Sequence, residues 1–153
     1  MDNNQIDEIT SDSFACLDTL VELNLSRNRI ENIDSDSFNQ LVSLVELNLN
    51  RNKIDYLPNM VFRSLRLIEK LSLANNEIDE LDETHFEGLS QLSELDLSRN
   101  QIDEIKLGTF SGLRNMRVLK LNANRLSKLE SEDLFKDLTR LSELWIDNNR
   151  FRN

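Results

Sequence analysis

LVELNLSRN (20–28), LVELNLNRN (44–52) and LSELDLSRN (92–100) are almost one phrase written three times. Working outward from the closing asparagine, Asn4, Asn28, Asn52, Asn76, Asn100 and Asn124 recur every 24 residues, and Asn149 follows after 25. Around each runs L-x-x-L-x-L-x-x-N-x-I/L-x-x-I/L, then a phenylalanine, then a leucine. A period of this size marks an array in which each unit buries its apolar face against the next. The repeats fill nearly all of the chain and leave no stretch for a second domain.

One unit shows how the pattern folds. Leu23 and Leu25 alternate with polar neighbours, the signature of a half-buried strand. Glu22, Asn24 and Ser26 are therefore expected to face solvent. Asn28 stands where the chain must turn, and a buried amide can satisfy turn backbone that would otherwise cost about 1–3 kcal/mol per unpaired group. Stacked, Asn28, Asn52, Asn76, Asn100, Asn124 and Asn149 are expected to form a hydrogen-bonded ladder. Ile30 and Ile33 return to the interior, with Phe38 and Leu41 filling the far side. The phenylalanine column runs Phe14, Phe38, Phe62, Phe86, Phe110. Phe135 is assigned as its next member, with one inserted residue placed in 130–134.

These residues resemble the leucine-rich repeat family, in its 24-residue "typical" subtype, over essentially 1–153. The resemblance implies an α/β-class repeat fold: a right-handed curved solenoid with parallel β-strands on the concave face and loops or short 3₁₀ turns on the convex face. It also implies a setting, because this subtype is found mainly in extracellular Toll-like receptors, adhesion and guidance receptors, and matrix proteoglycans. One departure is that only Leu57-Pro58 carries the proline many members have after the second loop Ile/Leu.

MDNNQI aligns with LSRNRI, so the chain is expected to begin inside a repeat, and it ends just past a ladder asparagine. About six repeats without terminal caps read as a fragment of a longer protein, with self-association through the bare ends as an expected side effect.

Charge and composition narrow the partner. A net charge of −10 speaks against nucleic acid and against docking on anionic lipid. No apolar run has the ~18–20 residues of a membrane-spanning helix, so no direct membrane insertion is expected in this segment. MDNNQIDEIT is no signal peptide. Cys16 is the single cysteine and makes no internal disulfide. Outer-face acids such as IDEITSDSF and IDELDETHF recur at repeat spacing without a glycine-bearing calcium loop, and read as a solvated face with no metal. No cofactor is implied. His85, alone before Phe86, reads as a surface residue rather than a general base, and no HExxH, CxxC or phosphate loop is present.

The outward strand positions form columns: Glu22, Glu46, Lys70, Glu94, Val118, Glu143; then Asn24, Asn48, Ser72, Asp96, Lys120, Trp145; then Ser26, Asn50, Ala74, Ser98, Asn122, Asp147. A turn column of Arg27, Arg51, Asn75, Arg99, Ala123 and Asn148 is expected to compensate the glutamates. The early faces are nearly identical, as duplication would leave them. The later ones break the pattern, and tryptophan and arginine are enriched among interface hot spots. The expected concave-face site is Lys70, Asp96, Arg99, Val118, Lys120, Trp145 and Asp147. A competing reading has Trp145 covering the end of the array. Asn24-Leu25-Ser26 is the only N-x-S/T sequon, and a glycan on Asn24 would mask the first face and push binding to the later repeats.

The expected function is a non-enzymatic protein-interaction module that binds a protein ligand or receptor. Its expected place is an extracellular or cell-surface receptor or adhesion ectodomain, with innate-immune recognition or cell adhesion as the implied roles. Two alternatives stay open: an intracellular scaffold or regulatory subunit in the cytoplasm, and a structural spacer or matrix-binding array.

Overall fold

The computed structural model describes residues 1–129 and 131–152. Glu130, which opens the 130–134 insertion, and Asn153, the last position of the expected domain, lie outside them. In chain order the elements are β1 (Glu8–Ile9), β2 (Glu22–Asn24), β3 (Asn32–Ile33), β4 (Glu46–Asn48), β5 (Lys70–Ser72), β6 (Glu80–Leu81), β7 (Glu94–Asp96), β8 (Glu104–Ile105), β9 (Val118–Lys120), a four-residue 3₁₀ turn (Glu132–Phe135) and β10 (Glu143–Trp145). The chain is a parallel β-solenoid of about six turns, with almost no helix.

β2, β4, β5, β7, β9 and β10 form one six-stranded parallel sheet. Its register follows the repeat, with Leu23 opposite Leu47, then Leu71, Leu95, Leu119 and Leu144. All six strands are three residues long, and β2, β4 and β7 are closed off by their own last side chains. The Oδ1 of Asn24, Asn48 and Asp96 accepts the N–H two residues on, at 3.0 Å in each case. The backbone then enters the left-handed region at Arg27, Arg51, Asn75, Arg99, Ala123 and Asn148, with φ between 53° and 57°.

Behind that turn lies the asparagine ladder. The Asn52 Oδ1 accepts the Ile30 N–H at 3.1 Å, and its Nδ2 donates to the carbonyls of Leu25 (3.1 Å) and Leu49 (2.9 Å). Asn28, Asn76, Asn100, Asn124 and Asn149 repeat this geometry. Each amide thus ties its own turn to the previous repeat and satisfies backbone that no strand reaches. The phenylalanine rings stack from Phe14 through Phe38, Phe62, Phe86 and Phe110 to Phe135, with centroids 5.7–6.5 Å apart. Phe135 meets Phe110 although 25 rather than 24 residues separate them. The extra residue is absorbed between Leu126 and Phe135, where the 3₁₀ turn lies.

Two features differ from the sequence reading. Short pairs β1–β3 and β6–β8 form small parallel sheets on the flank opposite the strand entry, through Ile9–Ile33 and Leu81–Ile105. In the third column, Ala74 and Ser98 are buried rather than outward. The strand has already ended before that position, so the alternation no longer applies.

Candidate functional site

Strand pairing sets the concave face in rows. One row runs Lys70, Glu94, Val118, Glu143, and the next runs Ser72, Asp96, Lys120, Trp145. Asp96, Lys120 and Trp145 are therefore immediate neighbours, with Val118 beside them. Asp147 follows β10, and its carbonyl accepts the Ala123 N–H. Lys70 lies on β5, two strands from β9, and Arg99 stands in the turn after β7, so both are at the margin of this group. Asn24 is on β2, at the opposite edge of the sheet from Trp145, and is exposed. Five strand spacings of ~4.8 Å put ~24 Å between them.

The two lysines of the face are already engaged. Lys70 pairs with Glu46, whose hydrogen bond and charge raise its pKa above the ordinary lysine value. Lys120 reaches Glu94 at 3.1 Å and Asp96 at 3.7 Å. Partial burial lowers the Lys120 ammonium, but those two carboxylates outweigh it and leave it raised. The arginines of the turn column do not neutralise the glutamates, contrary to the sequence reading: among the described residues Arg27, Arg51 and Arg99 have no ion-pair partner. Lysine pairs with the glutamates because it sits in the same strand rows, whereas the arginines stand in the turn after the strand.

Trp145 is 49% exposed, and its Nε1 donates to Glu143 Oε2 at 3.3 Å. Leu144 beneath the same strand is 40% exposed, whereas Leu47, Leu71, Leu95 and Leu119 are buried, because β10 is packed on one side only. A shallow hollow of about 180 Å³ lies over the earlier strands, lined by Glu46, Asn48, Lys70, Ser72, Glu94 and Asp96. It shares Lys70 and Asp96 with the expected site. Glu46 and Glu94 were not among the expected site residues, since their repetition reads as duplication. Lys70, the one cation of its column and already part of the expected site, is the residue around which the hollow forms.

His85 corrects the sequence reading. It is not a surface residue but only 5% exposed. Its Nδ1 accepts the Asp82 N–H at 3.0 Å, and Nε2 lies 3.1 Å from the Leu57 carbonyl. The tautomer that fits carries the proton on Nε2. Ser37 and Thr109 hold the same place before their phenylalanines, and donate to the carbonyls of Ile9 and Leu81 at 2.8 and 3.2 Å. This is a second polar column, and His85 serves it structurally. Beside it, partial burial raises the Asp82 carboxyl. The hydroxyl and N–H of Thr84, with His85 and Lys106 nearby, outweigh that effect and hold Asp82 below the ordinary carboxylate value. A depressed carboxyl adds stability above its unfolded value of ~3.9 that is lost as pH falls through the folded value. Asp82→Asn is therefore expected to flatten the acid limb of a stability–pH curve below about pH 4. An unchanged limb would mean that other acids carry it.

Cys16 is a free, exposed thiol at φ 65°, two residues past Phe14, where Gly88 and Gly112 stand past their own phenylalanines. Among the described residues no group of His, Cys, Asp and Glu gathers as a metal ion would need, and no helix is long and apolar enough to cross a membrane.

The leucine rich repeat family model matches residues 1–54, 18–77, 44–102, 66–126 and 90–151. No curated protein sequence matches the chain. Among solved structures, a chain of the octameric complex of latrophilin 3, Unc5D and FLRT2, where FLRT2 is the leucine-rich-repeat component, superposes with a TM-score of 0.84. The identity is 27%, over 98% of this chain and 45% of that one. TLR13, solved as a complex with ssRNA13, superposes with a TM-score of 0.73 at 29% identity, over 100% of this chain and 25% of its own. The present chain thus spans less than half the length of each of these solved chains. Overlapping matches from the first repeat to the last, on a solenoid whose asparagines and phenylalanines stack in register, mean that the chain belongs to the leucine-rich repeat family.

Proposed function

We propose that the chain is a non-enzymatic protein-binding module that holds its partner against the later strands of the concave sheet, as a segment of an extracellular or cell-surface receptor or adhesion ectodomain. The observation that carries this reading is the row Asp96, Lys120, Trp145, in which a half-exposed indole stands next to a lysine already held by two carboxylates. An aromatic anchor flanked by pre-positioned charge loses little side-chain entropy on binding. The FLRT2 complex, assembled with latrophilin 3 and Unc5D, supports a protein as partner. Single-stranded RNA, the ligand in the TLR13 complex, suits this face poorly. Its carboxylates outnumber its cations, and both lysines are neutralised. Innate-immune recognition and cell adhesion are the roles that follow.

The exposed Cys16 thiol favours a second reading, an intracellular scaffold in a reducing compartment. Secretion of the chain behind a heterologous leader separates the two: a glycan on Asn24 supports the first, whereas an unmodified chain trapped as disulfide-linked oligomers supports the second.

The binding site itself is tested with an array of cell-surface ectodomains probed by the multimerised chain. Trp145→Ala and Lys120→Glu are each expected to weaken a genuine hit by about 2 kcal/mol, roughly thirtyfold, with unchanged circular dichroism. Hits that survive both substitutions would remove the late-repeat site, and an array without hits would remove the protein-binding reading.

A further inference from the structure

Cations recur along the rim where the concave sheet ends and the chain turns, interrupted at Asn75, Glu77, Gln101 and Ala123. Arg27, Arg51 and Arg99 immediately precede their ladder asparagines, and Arg29, Arg125 and Arg150 immediately follow theirs. All are exposed. The backbone beneath these side chains is fixed, because the N–H groups of Arg27, Arg51 and Arg99 donate to the carbonyls of Asn50, Ala74 and Asn122 of the next repeat, each at 2.9 Å. In a chain with 28 acidic residues, these guanidiniums have no ion-pair partner among the described residues. Lys53, Lys70, Lys106 and Lys120 are all paired.

The turn does not call for arginine. Arg27, Arg51 and Arg99 sit at φ 55°, 57° and 56°, a conformation strained for long side chains and easier for asparagine, which fills the same place at Asn75 and Asn148. Arg27 and Arg51 are also one strand spacing apart, so they repel. Strain, repulsion and absent counter-charge coincide in one column. Residues kept against such costs cluster at functional positions.

We infer that this rim is a second binding surface, meeting the concave-face site only at Arg99, that takes an extended acidic segment of a partner protein. Guanidinium groups bind carboxylates in a bidentate manner and hold them in register. The ridge is flanked by acid: exposed Asp55, Asp79 and Asp103 follow the ladder asparagines by three residues, and Glu46 and Glu94 lie on the strands that precede the turns. A ligand charged on every side, such as a nucleic acid or a sulfated polysaccharide, meets like charge on both flanks. An extended peptide with a carboxylate on every second residue places them ~6.8 Å apart on one side only, and the long arginine side chains span the difference from the ~4.8 Å strand spacing while neutral residues face the flanks. The surface does not depend on what the concave sheet binds.

The test is an amide and arginine Nε NMR titration of the 153-residue chain with a dodecapeptide of alternating glutamate and serine. A single-stranded RNA oligonucleotide and a heparin-derived oligosaccharide are the parallel probes. The peptide is expected to shift the signals of Arg27, Arg51 and Arg99 and their neighbours saturably, with about tenfold weakening in the triple variant Arg27→Asn, Arg51→Asn, Arg99→Asn. The variant's Tm is expected to stay level or rise, because asparagine relieves the left-handed turn. A fall in Tm by more than ~4 °C would make the arginines structural and overturn the proposal. So would peptide shifts on the concave lysines instead of the rim, no shifts at all, or tighter rim binding of the RNA or the oligosaccharide.

Discussion

Asn76→Ala is expected to lower stability by about 3–5 kcal/mol, since an unpaired buried group costs roughly 1–3 kcal/mol and each further lost hydrogen bond about 0.5–1.5 kcal/mol. The Asn76 amide accepts the Ile54 N–H at 3.1 Å and donates to the carbonyls of Leu49 and Leu73, both at 3.0 Å. Alanine leaves the Ile54 N–H without a partner in the middle of the array, and takes one of two amide donors from each carbonyl, since Leu49 keeps Asn52 and Leu73 keeps Asn100. The effect should also change how the chain unfolds. In a solenoid each repeat is held by its neighbours, so a broken interface in the centre uncouples the two halves. Trp145 lies on β10 and reports on the later repeats, whereas circular dichroism reports on the whole sheet. In urea the two signals are expected to coincide for the parent chain and to separate for Asn76→Ala. Asn149→Ala is the internal control: its bonds are partly exposed to water, and the loss should be smaller. Equal effects at the two positions, or a loss under ~1 kcal/mol at Asn76, would show that water replaces the amide freely.

The second large effect belongs to the aromatic column. Phe62 is fully buried, with its ring centroid 5.7 Å from Phe38 and 6.5 Å from Phe86. Phe62→Ala removes a ring that rigid neighbours on both sides cannot follow inward, at an expected cost of about 3–5 kcal/mol. Phe62→Leu should recover most of that. Phe135 is only partly buried and has a ring neighbour on one side, Phe110, so Phe135→Ala should cost distinctly less. Chemical denaturation of the three variants is the measurement. If Phe62→Ala and Phe135→Ala prove equal, the rings act independently rather than as a stack.

The asparagine spacing made the repeat readable before any coordinates, and the Leu-x-Leu alternation made the strands readable. Where the reading failed, it had extended a local rule past its range. Alternation holds while a strand lasts, and these strands last three residues; Ser98 and Ala74 lie beyond, in the turn. His85 looked like surface because a lone histidine is polar. Its column (Ser13, Ser37, Val61, Thr109, Leu134) mixes small hydroxyls with apolar residues, which is an interior composition. The charge pairing was not legible at all. Whether Glu46 pairs with Arg51 or Lys70 depends on which side of a turn each stands, and spacing alone does not say. The expected site was legible as a set of columns. Its hollow was not, because a concavity needs the relative heights of neighbouring side chains.

The insertion before Phe135 has a bearing on how such a chain changes over time. The ladder bonds to Asn149 span one residue more than those to Asn124, 23 instead of 22 and 28 instead of 27, and their geometry is the same. Length can be added on the outside of a turn without disturbing the inner stitching. By the same reasoning, a whole 24-residue unit can be duplicated, lost or exchanged, and every amide still finds an equivalent partner. Each exchange replaces the outward side chains of one strand, one member of every row, and leaves the scaffold intact. Such a protein can revise its recognition surface strand by strand, and strands such as β9 and β10, which carry Lys120 and Trp145, can diverge while their neighbours remain copies.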